Sequence, residues 1–577
     1  MENLESVNKL TIPQMLEQSR RVYGSRVAMK YFDGDSFRDI TYDGFYKLVM
    51  QAAAALVHAG IGPDDKVAIL SENRPAWGAT YFATLFLNAV NVPLDALLKP
   101  PEWNYIIRNS GAKVVVTSNK FYPDVEPFRD SIESLDRIIL MDYGNGSAEY
   151  LLADSSPAEL WPPDVPLDTL AAILYTSGTT GLAKGVMLSH GNITGDIRAM
   201  TQAIILYPTD NFISILPIHH TFECTCGFLT PLSNGAAISY ARGLASKLIV
   251  EDIKSNQATI LLGVPLVFEK MFAGISRAIG KKPPLTRAVF RSTYGLAKFL
   301  KKTIHVEAGG RLFQGLREKA GLASLRLMVA GGAPMAPDIA EAFNCLGLRL
   351  IQGYGLTESS PVLTFNPLDK YRNNSIGKAI PGAEIRIVDK DSFGIGELVA
   401  RGPMVMQGYY KNDAATADAI IDGWLHTGDL GHVDKDGYFY ITGRKKNLIV
   451  TPGGKNVYPE EVEIVLNASP YILESLVLGR PNAASGGGEE IEAIIVPDLE
   501  YFSARADEKA ITLTEEYIGK TIRLEVSRQC EQLADYKRVK YVILRDEDFE
   551  KTSTRKIKRY LYEHKPMRVP AGKNKGK

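Results

Sequence analysis

The segment from Tyr175 to Val186 concentrates glycines, hydroxyl side chains and a lysine in a short stretch of chain. Glycines let backbone N–H groups approach an anion closely, hydroxyls add directed donors, and an ammonium adds a point charge. The apolar run Leu170 to Leu174 predicts a buried strand, so the segment should leave a sheet where nucleotides often bind. We interpret it as a loop that holds a polyphosphate. The candidate phosphate contacts are Thr176, Ser177, Gly178, Thr179, Thr180 and Lys184.

This loop differs from the common phosphate-binding motifs. A Walker A loop ends in Gly-Lys followed by Ser or Thr, whereas Lys184 follows Ala183 and precedes Gly185. Residues 519–521 have that ending, but Thr514 stands where the leading glycine is required. The His-Arg-Asp and Asp-Phe-Gly motifs of protein kinases do not occur in the sequence. A plain polar surface turn is the alternative interpretation.

Composition agrees with a large soluble protein and argues against a dedicated nucleic-acid binder. The chain has 577 residues, 45% hydrophobic and 23% charged, enough for at least two domains. Lys and Arg total 66, as do Asp and Glu, and this balance argues against a dedicated nucleic-acid partner. Residues 1–21 have no continuous apolar core, so no signal peptide is predicted. The run Trp77 to Leu94 is interrupted by polar residues and is predicted to be a core helix, not a membrane span.

The chain has four cysteines, too few for a disulfide framework at this length, and a reducing cytoplasm is predicted. Cys224 and Cys226 lie near His219 and His220, which raises the hypothesis of a zinc site. The usual spacing of paired zinc cysteines is absent and no second cluster completes a ligand set. We therefore disfavour a metal at this position.

Apolar runs alternate with amphipathic helical stretches, which predicts α/β layers with largely parallel sheets. The predicted strands are Lys66–Leu70, Lys113–Thr117, Arg137–Leu140, Ile213–Leu216, Thr259–Leu262 and Arg326–Ala330. An apolar face from Phe45 to Leu56 predicts a helix that ends just before Gly60.

After Arg444 the pattern changes to that of a smaller α+β unit. Its predicted elements are a helix near 459–466, strands near 473–478 and 491–496, a glycine-rich loop at 485–488, and a charged helix from Thr514. We therefore predict an amino-terminal domain at 1–444 and a carboxy-terminal domain at 445–577.

The phosphate loop resembles that of the adenylate-forming superfamily of acyl-CoA synthetases, adenylation domains and luciferases. Ala183 stands where the family usually has proline. Because proline acts mainly by restricting the chain, this difference should make the loop less stiff without changing which motif it is. Later segments resemble further family motifs and occur in the family order. They are residues 331–334, 352–358, 427–429, 443–447, 453–461 and 551–559. The resemblance spans about residues 11–562 and implies a large amino-terminal α/β domain with a small, mobile α+β domain after it.

By this resemblance, residues 331–334 and 352–358 meet adenine and magnesium. An aromatic ring beside glycine can cover a purine face, so Tyr354 is the proposed stacking residue. Thr357 is a candidate phosphate donor, and Glu358 offers the hard carboxylate that Mg²⁺ prefers. A plain turn and a solvated glutamate are the alternatives. The other proposed nucleotide contacts here are Gly332, Ala333, Pro334, Gln352, Gly353 and Gly355.

The motifs beyond Thr427 imply ribose, hinge and coenzyme contacts. A carboxylate can accept hydrogen bonds from both ribose hydroxyls, which suits Asp429, and Arg444 matches a second sugar or phosphate contact. Lys446 matches the pivot on which the small domain of the family swings between two poses. Gly454 and Lys455 lie where a pantetheine arm would pass.

The segment 551–559 resembles the last family motif, whose central lysine is catalytic and corresponds to Lys556. Attack of a carboxylate on the α-phosphorus of ATP brings two anions together, and a preorganised ammonium stabilises the developing charge. His220 matches the family histidine that lines the acyl and carboxylate site, with a core histidine as the alternative. The implied catalytic residues are Lys556, Glu358, Thr180 and His220.

Residues 217–223 and an insert at about 277–322 look most like the long-chain fatty acyl-CoA branch. The implied activity is ligation of a fatty acid to coenzyme A (CoA), with ATP and Mg²⁺, through an acyl-adenylate. CoA is the expected acceptor because no carrier domain follows in the chain. An acyl carrier protein ligase, a fatty acyl-AMP ligase, a non-catalytic lipid-binding protein, and aryl or bile-acid substrates stay open, as do chain length and oligomeric state.

Basic and apolar residues interleave between Lys281 and Lys302. Such a stretch is predicted either to rest on an anionic membrane surface, at the inner face of the membrane, or to be a solvated helical face.

Overall fold

The computed structural model describes residues 10–142, 149–150, 158–176, 183–304, 306–481, 488–509, 511–552 and 556–563. The chain forms two compact units. The larger unit comprises Met1–Val388, Leu398–Thr427 and Val433–Tyr440; the smaller unit comprises Asp389–Glu397, Gly428–His432 and Ile441–Lys577. The boundary predicted between 444 and 445 stays a prediction.

The elements follow in chain order. The helices are α1 (Ile12–Tyr23), α2 (Tyr42–His58), α3 (Pro75–Phe86), α4 (Pro100–Ser110), α5 (Tyr122–Val125), α6 (His190–Ala203), α7 (Thr230–Ser233), α8 (Ser246–Asn256), α9 (Pro265–Gly280), α10 (Pro284–Ile304), α11 (Gly309–Leu312), α12 (Gln314–Lys319), α13 (Pro337–Cys345), α14 (Asp413–Ala419), α15 (Pro459–Leu466), α16 (Leu499–Lys509) and α17 (Glu515–Cys530). The strands are β1 (Val27–Phe32), β2 (Phe37–Thr41), β3 (Lys66–Leu70), β4 (Val90–Pro93), β5 (Val114–Thr117), β6 (Arg137–Leu140), β7 (Glu149–Tyr150), β8 (Leu170–Thr176), β9 (Lys184–Ser189), β10 (Asn211–Ser214), β11 (Ala237–Tyr240), β12 (Ile260–Gly263), β13 (Leu327–Ala330), β14 (Leu350–Gly355), β15 (Val362–Phe365), β16 (Lys378–Ala379), β17 (Glu384–Val388), β18 (Gly396–Arg401), β19 (Gly408–Tyr409), β20 (Ile420–Ile421), β21 (Trp424–Val433), β22 (Phe439–Arg444), β23 (Ile449–Val450), β24 (Asn456–Val457), β25 (Ile472–Pro481), β26 (Glu489–Pro497) and β27 (Tyr541–Leu544). A π-helix spans Phe222–Leu229, and 3₁₀ turns span Glu126–Phe128, Thr357–Ser359, Lys445–Asn447, Asp535–Lys537 and Arg559–Leu561.

Two large sheets frame the larger unit. The first has nine strands in the order β16-β15-β14-β13-β12-β10-β11-β1-β2, and β14 through β1 pair in parallel. The second has eight strands in the order β19-β9-β8-β4-β3-β5-β6-β7, and β8 through β7 pair in parallel. Carboxyl ends of neighbouring parallel strands meet at one edge of a sheet, which is where ligands of α/β proteins usually bind. The prediction of α/β layers with largely parallel sheets is confirmed.

Strand prediction holds within two residues. β3 and β6 begin and end at the predicted residues, while β5, β12 and β13 each begin one residue later. β10 starts at Asn211, two residues before the prediction, and ends at Ser214. The helix predicted from the apolar face of 45–56 extends over α2, and Gly60 follows it with a φ of +77°.

The prediction of a single core helix over Trp77–Leu94 is wrong. α3 ends at Phe86, and Val90–Pro93 forms β4 between β3 and β8. Asn88, with a φ of +54°, turns the chain between the two elements. Every residue of α3 and of β4 is buried, so neither element has a polar face. Periodicity cannot separate a fully buried helix from a fully buried strand, because both give an uninterrupted apolar run.

The smaller unit is built on β25, β26 and β27. β25 pairs antiparallel with β26, which pairs parallel with β27. α15 and α17 pack on this sheet around a core that includes Val462, Val477 and Ile522. These elements confirm the predicted smaller α+β unit. Thr514 caps α17 by accepting a hydrogen bond from the Tyr517 N–H. Most of the predicted glycine-rich loop at 485–488 lies outside the described residues.

None of the helices in the described ranges has the length and apolar character needed to cross a membrane.

Candidate active site

The predicted phosphate loop connects the two strands of a β-hairpin. β8 and β9 pair antiparallel, and Thr176 lies directly opposite Lys184. A Cβ on Gly185 would lie 2.8 Å from the Ile173 side chain, so glycine is required for this close pairing. The predicted contacts Ser177, Gly178, Thr179 and Thr180 lie outside the described residues. The hairpin therefore fixes where the loop starts and ends, with the lysine at its far end.

Tyr409 links the lysine of this hairpin to the predicted magnesium carboxylate. The Lys184 Nζ lies 5.0 Å from the centre of the Tyr409 ring, and the Tyr409 hydroxyl donates to Glu358 Oε1 over 2.8 Å. Burial, with the neighbouring Glu358 charge, raises the pKa of the Tyr409 hydroxyl, which keeps it a donor. Sequence reasoning missed Tyr409 because it lies 51 residues from Glu358. β19, which carries it, pairs with β9 and so brings the three side chains together.

The backbone around Glu358 is fixed on both sides. Glu358 lies in the 3₁₀ turn that follows β14, and its carbonyl accepts a hydrogen bond of 2.9 Å from the Met406 N–H. A Cβ on Gly355 would lie 1.7 Å from the Pro361 oxygen, so only glycine fits there. The pairing of β14 with β15 is irregular between Tyr354 and Gly355. Such irregularities re-aim side chains next to active sites.

The two predicted adenine segments leave neighbouring strands. Ala330 at the end of β13 pairs with Gln352 on β14, so residues 331–334 and 352–358 emerge side by side. Gly332 has a φ of +80°, which favours glycine. Tyr354, the proposed stacking residue, is half-buried and packs beside the apolar core of the first sheet. Ala333 and Pro334 follow in the same loop, and Gly353 leads from Gln352 to Tyr354 within β14.

His220 lies in the turn that follows β10, at the same edge of the first sheet. A Cβ on Gly331 would lie 3.0 Å from the ring of Phe222. Residues 331–334 therefore pack close to the segment just after His220. The His219 and His220 rings are 4.4 Å apart, and His219 Nε2 lies 3.2 Å from Asp95 Oδ1. Sequence reasoning missed Asp95, which follows β4 of the second sheet.

The zinc hypothesis that involved cysteines gains no support. Burial raises the pKa of the Cys224 thiol to about 12, and it also raises the pKa of Cys226. Zinc binds the thiolate form, and burial disfavours ionisation of these two thiols. The metal-ligating atoms that approach one another here are those of Asp95, His219 and His220, all within 4.8 Å.

In the smaller unit, the predicted ribose carboxylate is paired with the predicted second contact. The Arg444 Nε lies 2.7 Å from Asp429 Oδ1, and the Asp429 side chain is 6% exposed. Glu397, which sequence reasoning also missed, accepts hydrogen bonds from the Gly428 N–H and from Lys445 Nζ. The bond to Glu397 raises the pKa of the Lys445 ammonium. Asp429 and the backbone before it are therefore held by charged neighbours.

Lys446, the predicted pivot, lies in a 3₁₀ turn that is hydrogen-bonded to α15 and preceded by a glycine that lies close to it. A Cβ on Gly443 would lie 2.7 Å from Glu460 Oε2, and the Asn447 amide donates to Glu460 Oε1 over 2.6 Å. Partial removal from water, with repulsion from Arg444, lowers the pKa of Lys446.

The predicted pantetheine contacts lie at the tip of the hairpin formed by β23 and β24. The Thr451 N–H donates to the Lys455 carbonyl over 3.0 Å, and the Lys455 N–H donates to Thr451 Oγ1 over 3.1 Å. Gly454 has a φ of +69°, and within the described ranges no atom beyond the adjacent residues lies within 4 Å of a Cβ built on Gly453 or Gly454. A ligand can therefore approach this backbone closely.

Lys556 is tied to Thr552 by backbone hydrogen bonds. The Thr552 N–H donates to the Lys556 carbonyl over 2.8 Å, and the Lys556 N–H donates to Thr552 Oγ1 over 3.2 Å. Lys551 and Ile557 form a β-bridge just outside these bonds. These contacts fix the backbone of Lys556, and the residue is exposed.

The predicted site residues fall into two groups, one in each unit. In the larger unit, the segments that contain His220, Gly332 and Glu358 follow β10, β13 and β14 of the first sheet, and Lys184 begins β9 of the second sheet. In the smaller unit, the predicted ribose carboxylate Asp429 contacts Arg444.

Comparison with known proteins identifies the family. The family model described as "AMP-binding enzyme" matches residues 16–410. YngI of Bacillus subtilis is 30% identical over 97% of both chains. The long-chain-fatty-acid–CoA ligase FadD15 of Mycobacterium bovis is 30% identical over 76% of this chain and 75% of its own. A feruloyl-CoA synthase of Amycolatopsis is 30% identical over 79% of this chain and 84% of its own.

Solved structures share the architecture. ATP-bound MatB of Rhodopseudomonas palustris superposes with a TM-score of 0.75 at 26% identity, over 96% of this chain and 98% of its own. The anthranilate CoA ligase AuaEII, in complex with anthranoyl-AMP, has a TM-score of 0.76 at 24% identity, over 96% of both chains. The fold is that of adenylate-forming enzymes, and the relatives support an AMP-forming acid–CoA ligase with an unassigned acid. The chain belongs to the AMP-binding enzyme family.

Proposed function

We propose that the protein activates a long-chain fatty acid as its acyl-adenylate and transfers the acyl group to coenzyme A. The observation that carries the nucleotide part is the contact chain from Lys184 through Tyr409 to Glu358 at the phosphate hairpin. An ammonium and a carboxylate held by one tyrosine suit a site that binds both a polyphosphate and its counter-cation. The long-chain part rests on residues 217–223 and on the insert at 277–322.

In the first half-reaction, a carboxylate oxygen of the acid attacks the α-phosphorus of ATP. A P–O bond to the acid forms, and the bond from the α-phosphorus to the bridging oxygen breaks, so pyrophosphate leaves with the electron pair. Lys184 and Thr180 contact the phosphates, Asp429 and Arg444 contact the ribose, and Tyr354 covers the adenine. Lys556 supplies positive charge where the two anions meet, and His220 lines the carboxylate site.

Glu358 is the residue proposed to hold Mg²⁺. The Tyr409 hydroxyl engages Oε1, so the carboxylate has a second oxygen to offer a hard cation, and the donor set fits the ion. When bound, the ion neutralises charge on the phosphate oxygens. Tyr409 keeps the carboxylate turned toward the hairpin.

In the second half-reaction, the CoA sulfur attacks the acyl carbon. The C–S bond forms, the C–O bond of the mixed anhydride breaks, AMP leaves, and the thiol proton passes to solvent. We propose that residues 445–577 rotate about Lys446 between the steps, so that Lys556 withdraws and Gly454 and Lys455 meet the pantetheine arm. A reducing, cytoplasmic location suits the four cysteines, which are free thiols.

The acid is identified by AMP release with a graded series of saturated fatty acids, ferulate and indoleacetate, with and without CoA. Each added methylene should contribute about 0.8 kcal/mol, or about fourfold in kcat/KM, until the pocket is filled. We expect the best acid to be a long-chain one and AMP release to require CoA for turnover. A preference for ferulate would contradict the long-chain assignment while leaving the ligase reaction in place. A faster reaction with acyl carrier protein than with CoA would favour an acyl carrier protein ligase. Release of acyl-AMP without thioester would favour a fatty acyl-AMP ligase, and no AMP with any acid would favour a non-catalytic lipid-binding protein.

We further propose that α10 docks on an anionic lipid surface. Its inner face packs through Phe290, Tyr294 and Ala297, whereas a second apolar stripe is exposed. That stripe consists of Leu285 (77% exposed), Val289 (58%), Leu296 (48%) and Phe299 (60%). Arg291 and Lys302 are exposed on the same helix and add positive charge. Apolar side chains beside basic ones suit the headgroup boundary of a membrane, where amphiphilic acids reside.

Replacing both Leu296 and Phe299 with glutamine should lower binding to phosphatidylserine-containing vesicles by about tenfold or more, since the two side chains lose apolar burial. Flotation of the full chain with vesicles measures this. The matched control is Leu244→Gln with Phe393→Gln, which changes the same residue types at positions 64% and 78% exposed. Binding equal to wild type in the first pair, or equal loss in both pairs, would contradict a role for α10.

A further inference from the structure

Three hydrogen-bonded polar side chains, half-buried Asn73 and buried Ser214 and Glu223, connect the two large sheets near the turn that contains His220. The Asn73 amide donates to Ser214 Oγ over 2.9 Å, and the Ser214 hydroxyl donates to Glu223 Oε1 over 2.6 Å. Asn73 follows β3 of the second sheet, Ser214 ends β10 of the first sheet, and Glu223 belongs to the π-helix. Ser214 is 3% exposed and Glu223 is 1% exposed. None of these three side chains has a role in the proposed reaction.

Asn73 also fixes the backbone of the turn that leads to His220. Its amide donates to the Leu216 carbonyl over 2.6 Å, and its side-chain oxygen accepts from the Ile218 N–H over 3.0 Å. The His220 N–H donates to the Pro217 carbonyl over 3.1 Å, and the His220 carbonyl accepts from the Cys224 N–H over 2.8 Å. Asn73 therefore holds the backbone on both sides of Pro217, whose carbonyl accepts from the His220 N–H.

Glu223 lies at the other end of this series of hydrogen bonds. A Cβ on Gly227 would lie 2.7 Å from the Glu223 carboxyl carbon, so the π-helix needs a glycine there to admit the carboxyl group. Stretches of π-helix are rare and occur frequently at functional sites. Burial raises the pKa of Glu223 to about 8, with the Ser214 bond opposing, so the group is neutral at pH 7.

Three titratable groups interact electrostatically with this carboxyl. They are Tyr240 on β11, and Cys224 and Cys226 on the π-helix. Burial raises the pKa of each. None of these three contributes a positive charge, so they would not offset the charge of ionised Glu223.

We propose that Asn73, Ser214 and Glu223 form a positioning relay that holds the turn at 216–220, and with it His220, where the carboxylate of the acid substrate binds. The relay rests on the proposed function for the role of His220, but its effect on the turn is independent of any reaction. It ties the acid-binding turn to both sheets at once, so the turn is set before the acid arrives.

The first test follows amide hydrogen exchange in the peptide that contains Ile218. Asn73→Ala removes the acceptor of that N–H, so exchange there should become at least about tenfold faster, the size expected when a buried hydrogen-bond partner is lost. The KM for the acid should rise by a similar factor, with the KM for ATP unchanged. Asp196→Asn is the control, because this buried carboxyl accepts from the Val362 N–H instead of the turn. Unchanged exchange at Ile218 in Asn73→Ala would overturn the relay.

The second test separates positioning from general stability through pH. In the wild type, kcat/KM for the acid should fall as pH rises through about 8, because Glu223 then ionises within the relay. Glu223→Gln stays neutral and keeps an acceptor for Ser214, so its activity should match wild type at pH 7 and lack that fall. Glu223→Ala should lose activity both at pH 7 and at pH above about 8. An identical fall in the wild type and Glu223→Gln would overturn the role of Glu223.

The failure of the proposed function would look different. If none of the acids tested supported AMP release by the wild type, the ligase proposal would fail. The exchange rate at Ile218 in Asn73→Ala would still decide whether the relay exists.

Discussion

Replacing Lys556 with alanine should lower acid-dependent exchange between ATP and pyrophosphate by about 10²- to 10³-fold, the size typical for loss of one preorganised group that stabilises transition-state charge. The carboxylate and the α-phosphate are both anions, and an ammonium between them offsets their repulsion only while they react. The loss should therefore appear in kcat more than in the KM for ATP. Isotope exchange with labelled pyrophosphate measures the first half-reaction directly.

The same variant should largely keep the second half-reaction. Thioester formation from supplied acyl-adenylate and CoA needs no ammonium at the α-phosphate, so Lys556→Ala should lose less than about tenfold there. Lys558→Ala is the neighbouring control, since its N–H is held by the Glu550 carbonyl in the same loop and it carries the same charge. An equal loss in both half-reactions, or the larger loss in Lys558→Ala, would contradict the assignment of Lys556.

Positions of the motifs relative to strands were predictable because parallel strands impose a common edge. The segments containing His220, Gly332 and Glu358 follow β10, β13 and β14, which lie close together in the first sheet. Local sequence marks the end of each buried strand, and the parallel α/β pattern then brings these ends together. The strand before the phosphate loop was predicted, whereas the return strand β9, which places Lys184 opposite Thr176, was not.

Residues that hold the motif residues in place were not predictable in the same way. Tyr409 and Asp95 contact Glu358 and His219 only because distant strands become neighbours in the fold. Neither residue lies in a recognisable motif, and a tyrosine or an aspartate in isolation is usually a packing or surface residue. Such supporting contacts depend on sheet order, which local patterns do not encode.

The boundary between α3 and β4 marks a second limit. Amphipathic elements reveal their period through alternation with polar residues, but α3 and β4 are buried on all sides and have no such alternation. Only Asn88, with its left-handed backbone, marks the turn, and an isolated asparagine is also tolerated in helices. The sheet, by admitting β4 between β3 and β8, decides the conformation of this run.

Substitution of Glu358 by glutamine should raise the concentration of Mg²⁺ needed for half-maximal pyrophosphate exchange by about 10²-fold. The amide keeps the shape of the side chain and loses the charge that a hard cation requires. Tyr409→Phe should raise the same concentration by about tenfold, the lower end for loss of a group that orients a metal ligand. Phenylalanine keeps the ring beneath the Lys184 ammonium, so this change isolates the hydroxyl bond to Glu358. Tyr410→Phe is the matched control, because the Tyr410 hydroxyl donates to the Ser110 carbonyl instead.

The double variant decides whether Tyr409 acts through Glu358. If the tyrosine only orients the carboxylate, removing the carboxylate leaves it nothing to orient for the cation, and Tyr409→Phe should add less than about twofold in the Glu358→Gln background. Titration of pyrophosphate exchange with Mg²⁺ in all four proteins gives the coupling. Fully additive effects would mean that Tyr409 serves the phosphates by another route. A loss in Tyr410→Phe as large as in Tyr409→Phe would mean that packing near β19, rather than the hydroxyl, is responsible.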